Sequence, residues 1–291
     1  MRRFASIAKA TALEIVNEPL SLLLLTASLA LAVFAPAFHY HQFGEATRMA
    51  RDAGLSALLV GGTLFSVAGA VRSVRRELES GTAAVALAHP VSRAQFLLAK
   101  ALGAYCAFAL FALALGAVTV TIVNGARIGA LVAQKTGDIP RLWGPSYAFG
   151  VAAVVAPYVV GAVLNRAFRI RFAMSAFLTA LAVALASVFY RPDASALRLL
   201  PAIALLLLPP AVFTMAAAAA SVRLKANGAG AVCALLVALF LPFAGNYSLS
   251  EALSKGGTIP WGYVAVAALA ALPAFLLAAL VGLRLIKEQD I

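Results

Sequence analysis

Carboxylates are the scarcest chemistry in this chain. Of 291 residues, 11 are Asp or Glu against 23 Lys or Arg, and charged residues of both signs make up 12%. Soluble domains carry about 25% charge, so an ordinary soluble enzyme is excluded. Every acid (Glu14, Glu18, Glu45, Asp52, Glu77, Glu79, Asp138, Asp193, Glu251, Glu288, Asp290) falls outside the middle of an apolar run. Ion- or proton-coupled carriers normally place carboxylates inside the bilayer. Their lack disfavours such a carrier, although coordination by backbone carbonyls stays open.

Other absences narrow the field. The two cysteines, Cys106 and Cys233, both sit in apolar runs and read as small packing residues, with no disulfide or metal framework. His39 and His41 flank Tyr40, and His89 stands alone; no third ligand completes a metal site. No Ser/His pair or acid pair lies within an apolar run, which excludes an intramembrane protease. No Gly-Lys dipeptide occurs, so there is no G-x-x-x-x-G-K-[ST] phosphate loop, and nucleotide hydrolysis has to take place on another polypeptide.

What the chain does have is apolar length: 63% of residues are hydrophobic and the mean hydropathy is +0.96. Runs near residues 20–38, 53–71, 95–123, 146–164, 172–190, 199–220, 229–245 and 261–283 each approach the roughly 20 residues that cross a bilayer. They predict an all-α, polytopic transmembrane bundle of about eight spans, forming a single membrane domain over residues 1–291. The sixth run carries Pro209 and Pro210 and the seventh ends at Pro242; paired as one re-entrant hairpin, they lower the count to six. An outer segment, Asn124 to Gly144, is too small for a large extramembrane domain.

The net charge of +12 would suggest nucleic acid in a soluble chain, but these basic residues punctuate apolar runs, so the predicted contact is anionic lipid and not nucleic acid. With the N-terminus inside, Arg2, Arg3, Lys9, Arg72, Arg75, Arg76, Arg93, Lys100, Arg166, Arg169, Arg171, Arg223, Lys225, Arg284 and Lys287 collect on one side, 15 of the 23, leaving 8 outside. That bias puts both termini in the cytoplasm of a bacterial cell with the chain in its inner membrane. Tyr40, Trp143, Tyr147, Tyr190, Tyr247, Trp261 and Tyr263 cluster at the opposite, outer ends.

The first 38 residues also admit a signal-peptide reading, but the apolar run begins only at residue 20 and is preceded by a patterned stretch. Phe4, Ile7, Ala8, Thr11, Ala12 and Ile15 recur at helical spacing, predicting an amphipathic helix over 4–18 on the inner membrane surface. Glycines 61, 62, 69, 103 and 116 allow close helix approach. Pro157 and Pro209-Pro210 predict kinks. Ser248 with Glu251 predicts a short capped helix on the outer surface.

The longest charged inner stretch is ordered. Arg72 to Glu79 continues the second span, Ser80-Gly81 breaks it, Thr82 to Ala88 fits a short helix, and His89-Pro90 ends that. Ser92 and Gln95 make a capping box that starts the third span, whose first turns carry Lys100 near the surface. Residues 72–95 therefore predict a rigid finger, suited to transmitting motion from a soluble partner.

The run "RRELESGTAAVALAHPVSRAQFLLAKALG" resembles the signature region of ABC transporter permeases of the ABC-2 class, "E-x-E-x-G-T", "P-V-S-R" and "F-x-x-x-K-x-x-G". Matching positions are Glu77, Glu79, Gly81, Thr82, Pro90, Val91, Ser92, Arg93, Phe96, Lys100 and Gly103. The basic hairpin "LNRAFRIRFAMSAF" and the tail "RLIKEQDI" are similar to that class as well. The resemblance implies that residues 72–95 are a coupling helix docking on a separate ATPase subunit, with Arg76, Glu77, Glu79, Gly81, Thr82, Pro90 and Arg93 as contact residues. It further implies two permeases, identical or paralogous, with two ATPases that hold ATP and Mg; no cofactor or catalytic residue on this chain; and transport that is most often outward. Eight runs depart from the commoner six. Two other readings stand beside it: a membrane anchor or assembly scaffold without transport, and an ion-coupled secondary transporter.

Overall fold

The structure, a computed structural model, describes residues 2–37, 46–80, 92–136, 144–190, 196–224, 228, 230 and 259–287. Among these every regular element is helical: α1 (Arg2–Val16), α2 (Pro19–Phe34), α3 (Ala46–Glu79), α4 (Arg93–Thr136), α5 (Pro145–Phe168), α6 (Phe172–Tyr190), α7 (Leu200–Leu206), α8 (Leu208–Arg223) and α9 (Trp261–Lys287). Short 3-10 turns, Ala35–Ala37 and Ala196–Leu199, follow α2 and precede α7.

Six of these stretches are long and apolar enough to cross a membrane, with α7 and α8 together counting as one; α1 and α2, bent by 65°, make a seventh as a pair. Seven of the eight apolar runs are thus helical. The run at 229–245 lies almost wholly outside the described residues, as do the predicted outer helix around Ser248 and Glu251, all three histidines, Cys233, Trp143, and residues 81–91 of the finger.

α4 forms the axis. Its 44 residues extend about 66 Å at 1.5 Å per residue, roughly twice the hydrocarbon thickness. The outer segment predicted to begin at Asn124 is, as far as Thr136, a continuation of this helix. No proline or polar break interrupts α4, and Ser146 of α5 packs where a side chain on Gly125 would sit. The 34 residues of α3 run beside it. Between them lies a buried aromatic cluster: Phe65 stacks on Phe111 with centroids 4.9 Å apart, Phe177 of α6 lies 6.2 Å from Phe65, and Phe108 continues the row 6.4 Å from Phe111. Gly62 makes room for this row, because a Cβ there would stand 2.6 Å from the Phe108 ring. Small residues at helix crossings supply the dispersion contacts that hold membrane bundles, since lipid offers no hydrophobic driving force.

Polar side chains within the spans find partners across helices. The Thr26 and Tyr158 hydroxyls meet at 2.8 Å between α2 and α5, and those of Thr121 and Ser187 at 2.8 Å between α4 and α6. The Pro209-Pro210 kink is realised as a break at Leu207, whose carbonyl accepts a 3.4 Å bond from the Tyr105 hydroxyl. Pro157, by contrast, is accommodated inside a continuous α5. Cys106 departs from its expected packing role: it is exposed, on an outward stripe of α4 with Leu102 and Leu113.

Candidate functional site: a charged network at one end of the bundle

The ends of α3 and α9 and the start of α4 gather with α1 at one end of the molecule. α1 has the predicted periodicity: Ala8, Thr11 and Ile15 are buried, while Arg3, Ser6 and Lys9 are exposed. The buried part of its stripe packs against α3 and α4. Gly103 of α4 accepts the α1 backbone so closely that a Cβ would lie 2.5 Å from the Ala8 carbonyl oxygen, and Ile15 packs over Gly69 of α3.

This docking brings Glu14 of α1 to the α3–α4 crossing. There the Lys100 ammonium is 2% exposed, 2.6 Å from Glu77 Oε1 and 3.7 Å from Glu14 Oε2. Lys100, expected in the first turns of the third span, lies there with its side chain enclosed by neighbouring helices. Phe96, Lys100 and Gly103 are spaced i, i+4, i+7, a single face of α4, and that face is turned into the bundle against α1 and α3. A buried ammonium needs compensating charge, and two carboxylates from two other helices provide it.

Around this core the pairs become more exposed. Arg76 Nη1 donates to Glu14 Oε1 at 3.3 Å, and Arg72 Nη1 to Glu18 Oε1 at 3.0 Å, both fastening α3 to the α1–α2 elbow. Arg75 donates from Nε (3.1 Å) and Nη2 (2.7 Å) to Glu79 Oε1 within α3. A groove of about 730 Å³ opens beside the network, lined by Leu13, Glu14, Asn17, Glu18, Arg76 and Arg171 among others.

The α4 start is built as predicted. Ser92 Oγ accepts the Gln95 amide at 3.2 Å and Gln95 Oε1 accepts the Ser92 amide at 3.2 Å, both halves of a capping box. The following Arg93 spans to α9, donating from Nη1 to the Ile286 and Lys287 carbonyls at 3.2 Å each, so it satisfies carbonyls that the helix end leaves open.

Of the seven residues predicted as contacts, Arg76, Glu77, Glu79 and Arg93 gather at this end; Gly81, Thr82 and Pro90 lie outside the described residues. Sequence reasoning left Glu14, Glu18, Arg72, Arg75 and Lys100 out of that set. The signal for Lys100 was its same-face spacing with Phe96 and Gly103; for Glu14 it was a place on the margin of an amphipathic stripe, beside Ile15. Among the described residues no group of three or more His, Cys, Asp or Glu is placed to hold a metal ion.

Such an arrangement, an apolar multi-helix bundle with most of its charge pairs at one end and Arg48, Arg51 and Asp52 at the far end of α3, defines an integral multi-pass membrane protein. Residues 20–283 match the family described as ABC-2 family transporter protein, and the chain belongs to that family. It is a membrane permease of an ABC transporter, the transmembrane component of an assembly whose family implies an ATPase partner. Comparison with curated proteins and with solved structures returns no match.

Proposed function

We propose that this chain is the permease subunit of an ATP-driven exporter in the bacterial cytoplasmic membrane. Its charged end faces the cytoplasm, with both termini inside, and residues 72–95 dock on a separate ATPase subunit. The observation that carries this reading is Lys100, clamped by Glu77 and Glu14. The clamp makes α1, the end of α3 and the start of α4 one body. A push on the finger then passes into the two long core helices instead of being absorbed locally, and Arg93 extends it to α9. Arg76 and Glu79, with side chains 74% and 63% exposed, stand at the tip of the α3 stem where a partner would meet them. ATP and Mg belong to the partner, and a second permease copy or a paralogue completes the assembly with two ATPases.

Affinity purification of the full chain in mild detergent is expected to bring down a soluble ATPase that carries its own phosphate loop. Replacing Glu77, Glu79 and Gly81 is expected to abolish ATP-dependent transport. A chain that purifies alone, and whose triple variant transports normally, overturns the reading.

A further inference from the structure

A second charged feature takes no part in the network. The turn joining α5 and α6 reads Arg166-Ala167-Phe168-Arg169-Ile170-Arg171, basic and apolar residues in near alternation. All three arginines are exposed, as are Phe168 (70%) and Ile170 (42%). None of the three makes an ion pair among the described residues. No acid occurs between Asp138 and Asp193. Glu14, Glu18 and Glu77 share the groove with Arg171 but are already held by Arg76, Lys100 and Arg72.

The turn is also fixed in shape. Arg169 takes the left-handed conformation at φ 56°, its amide closes on the Asn165 carbonyl at 3.1 Å, and Asn165 Nδ2 donates to the Ile170 carbonyl at 2.8 Å. A left-handed residue is the common way to end a helix, normally with glycine; here a side chain with a charge is placed there instead.

Length fixes the depth. At 1.5 Å per residue, α5 (24 residues) and α6 (19 residues) extend about 36 and 28 Å, close to the roughly 30 Å of bilayer hydrocarbon. With only residues 169–171 between them, these lengths put the turn at headgroup level. Exposed arginines there meet phosphates, and Phe168 and Ile170 meet the acyl boundary, the pattern of an interfacial anchor.

We propose that residues 166–171 form a binding site for anionic phospholipid headgroups, with Arg166, Arg169 and Arg171 on the phosphate and Phe168 and Ile170 in the acyl boundary. The site uses none of the residues assigned to the ATPase contact, although Arg171 lines a groove beside Arg76, and the inference does not depend on that docking. The test is native mass spectrometry of the full chain in nonionic detergent, titrated with phosphatidylglycerol and, separately, phosphatidylcholine. The wild type is expected to retain phosphatidylglycerol preferentially. R166Q/R169G/R171Q is expected to lose that preference by about fivefold per arginine removed, while the matching all-lysine variant keeps most of it. R169G alone keeps the turn, because glycine suits a positive φ, and is expected to show about one such step. Equal loss in the control R284Q/K287Q would mean bulk charge attraction and overturn the site. An unchanged lipid preference in the triple variant, with loss of ATPase co-purification instead, would assign the turn to a protein surface and also overturn it.

Discussion

The Lys100 ammonium lies 2.6 Å from the Glu77 carboxylate, and its side chain is 2% exposed. A pair this buried gains little net stability, because desolvating two charges nearly cancels their attraction, yet losing one member leaves the other stranded. Glu77→Gln is therefore expected to cost about 3 kcal/mol of stability, because it leaves the buried ammonium only its 3.7 Å contact with Glu14, and Lys100→Met less, since Glu77 and Glu14 are 28% and 31% exposed and Arg76 still holds Glu14. Glu77→Gln with Lys100→Met should recover much of the loss while uncoupling transport. Thermal unfolding of the four proteins in one detergent, read as a double-mutant cycle, checks this; additive losses would show the pair to be uncoupled.

Gly103 meets α1 backbone, which cannot swing aside as a side chain can. Gly103→Ala is expected to push α1 off α4 and destabilise by about 1–3 kcal/mol. Gly116→Ala is the contrast: its Cβ meets Ile203 only at 3.4 Å, an ordinary contact. Limited proteolysis within α1 should accelerate in the first variant and stay unchanged in the second.

Arg93 ties the α9 end to the α4 start through two carbonyls. Arg93→Met removes both bonds and a favourable charge at a helix C-terminus, an interaction of about 0.3–1 kcal/mol. The expected consequence is local: faster hydrogen exchange over residues 283–287, with little change in global unfolding.

Ser92→Ala removes one half of the capping box and is expected to cost about 1 kcal/mol, with Ser92→Asp nearly neutral. Arg72→Gln, which breaks the more exposed pair to Glu18, is expected to cost less than about 1 kcal/mol. The ranking of melting temperatures, Ser92→Asp above Ser92→Ala and Arg72→Gln well above Glu77→Gln, tests whether burial sets the scale.

Much of the bundle was legible because the bilayer imposes a simple rule. A segment must satisfy its backbone internally and present apolar side chains over a fixed length, so runs such as 146–164 and 261–283 announce α5 and α9. The α4 start was legible for a similarly local reason: a capping box involves residues three apart. Where helices stop was less so. Asn124 to Gly144 reads as a short outer segment, but as far as Thr136 it continues the helix, with α5 packed against it at Gly125. Cys106 was misread because its outward stripe and the inward stripe of α4 are almost equally apolar, and only packing tells them apart.

By itself, then, the sequence determined that the chain is a helical, multi-pass membrane protein, since that follows from composition and the length of its apolar runs. Tertiary structure alone decided which charges pair with one another. Glu14 and Lys100 are 86 positions apart, a separation that no periodicity links. They meet because Gly103 lets the α1 backbone settle onto α4, and an ammonium buried at that crossing has to find its counterions. Burial turned a basic residue into a clamp between three helices.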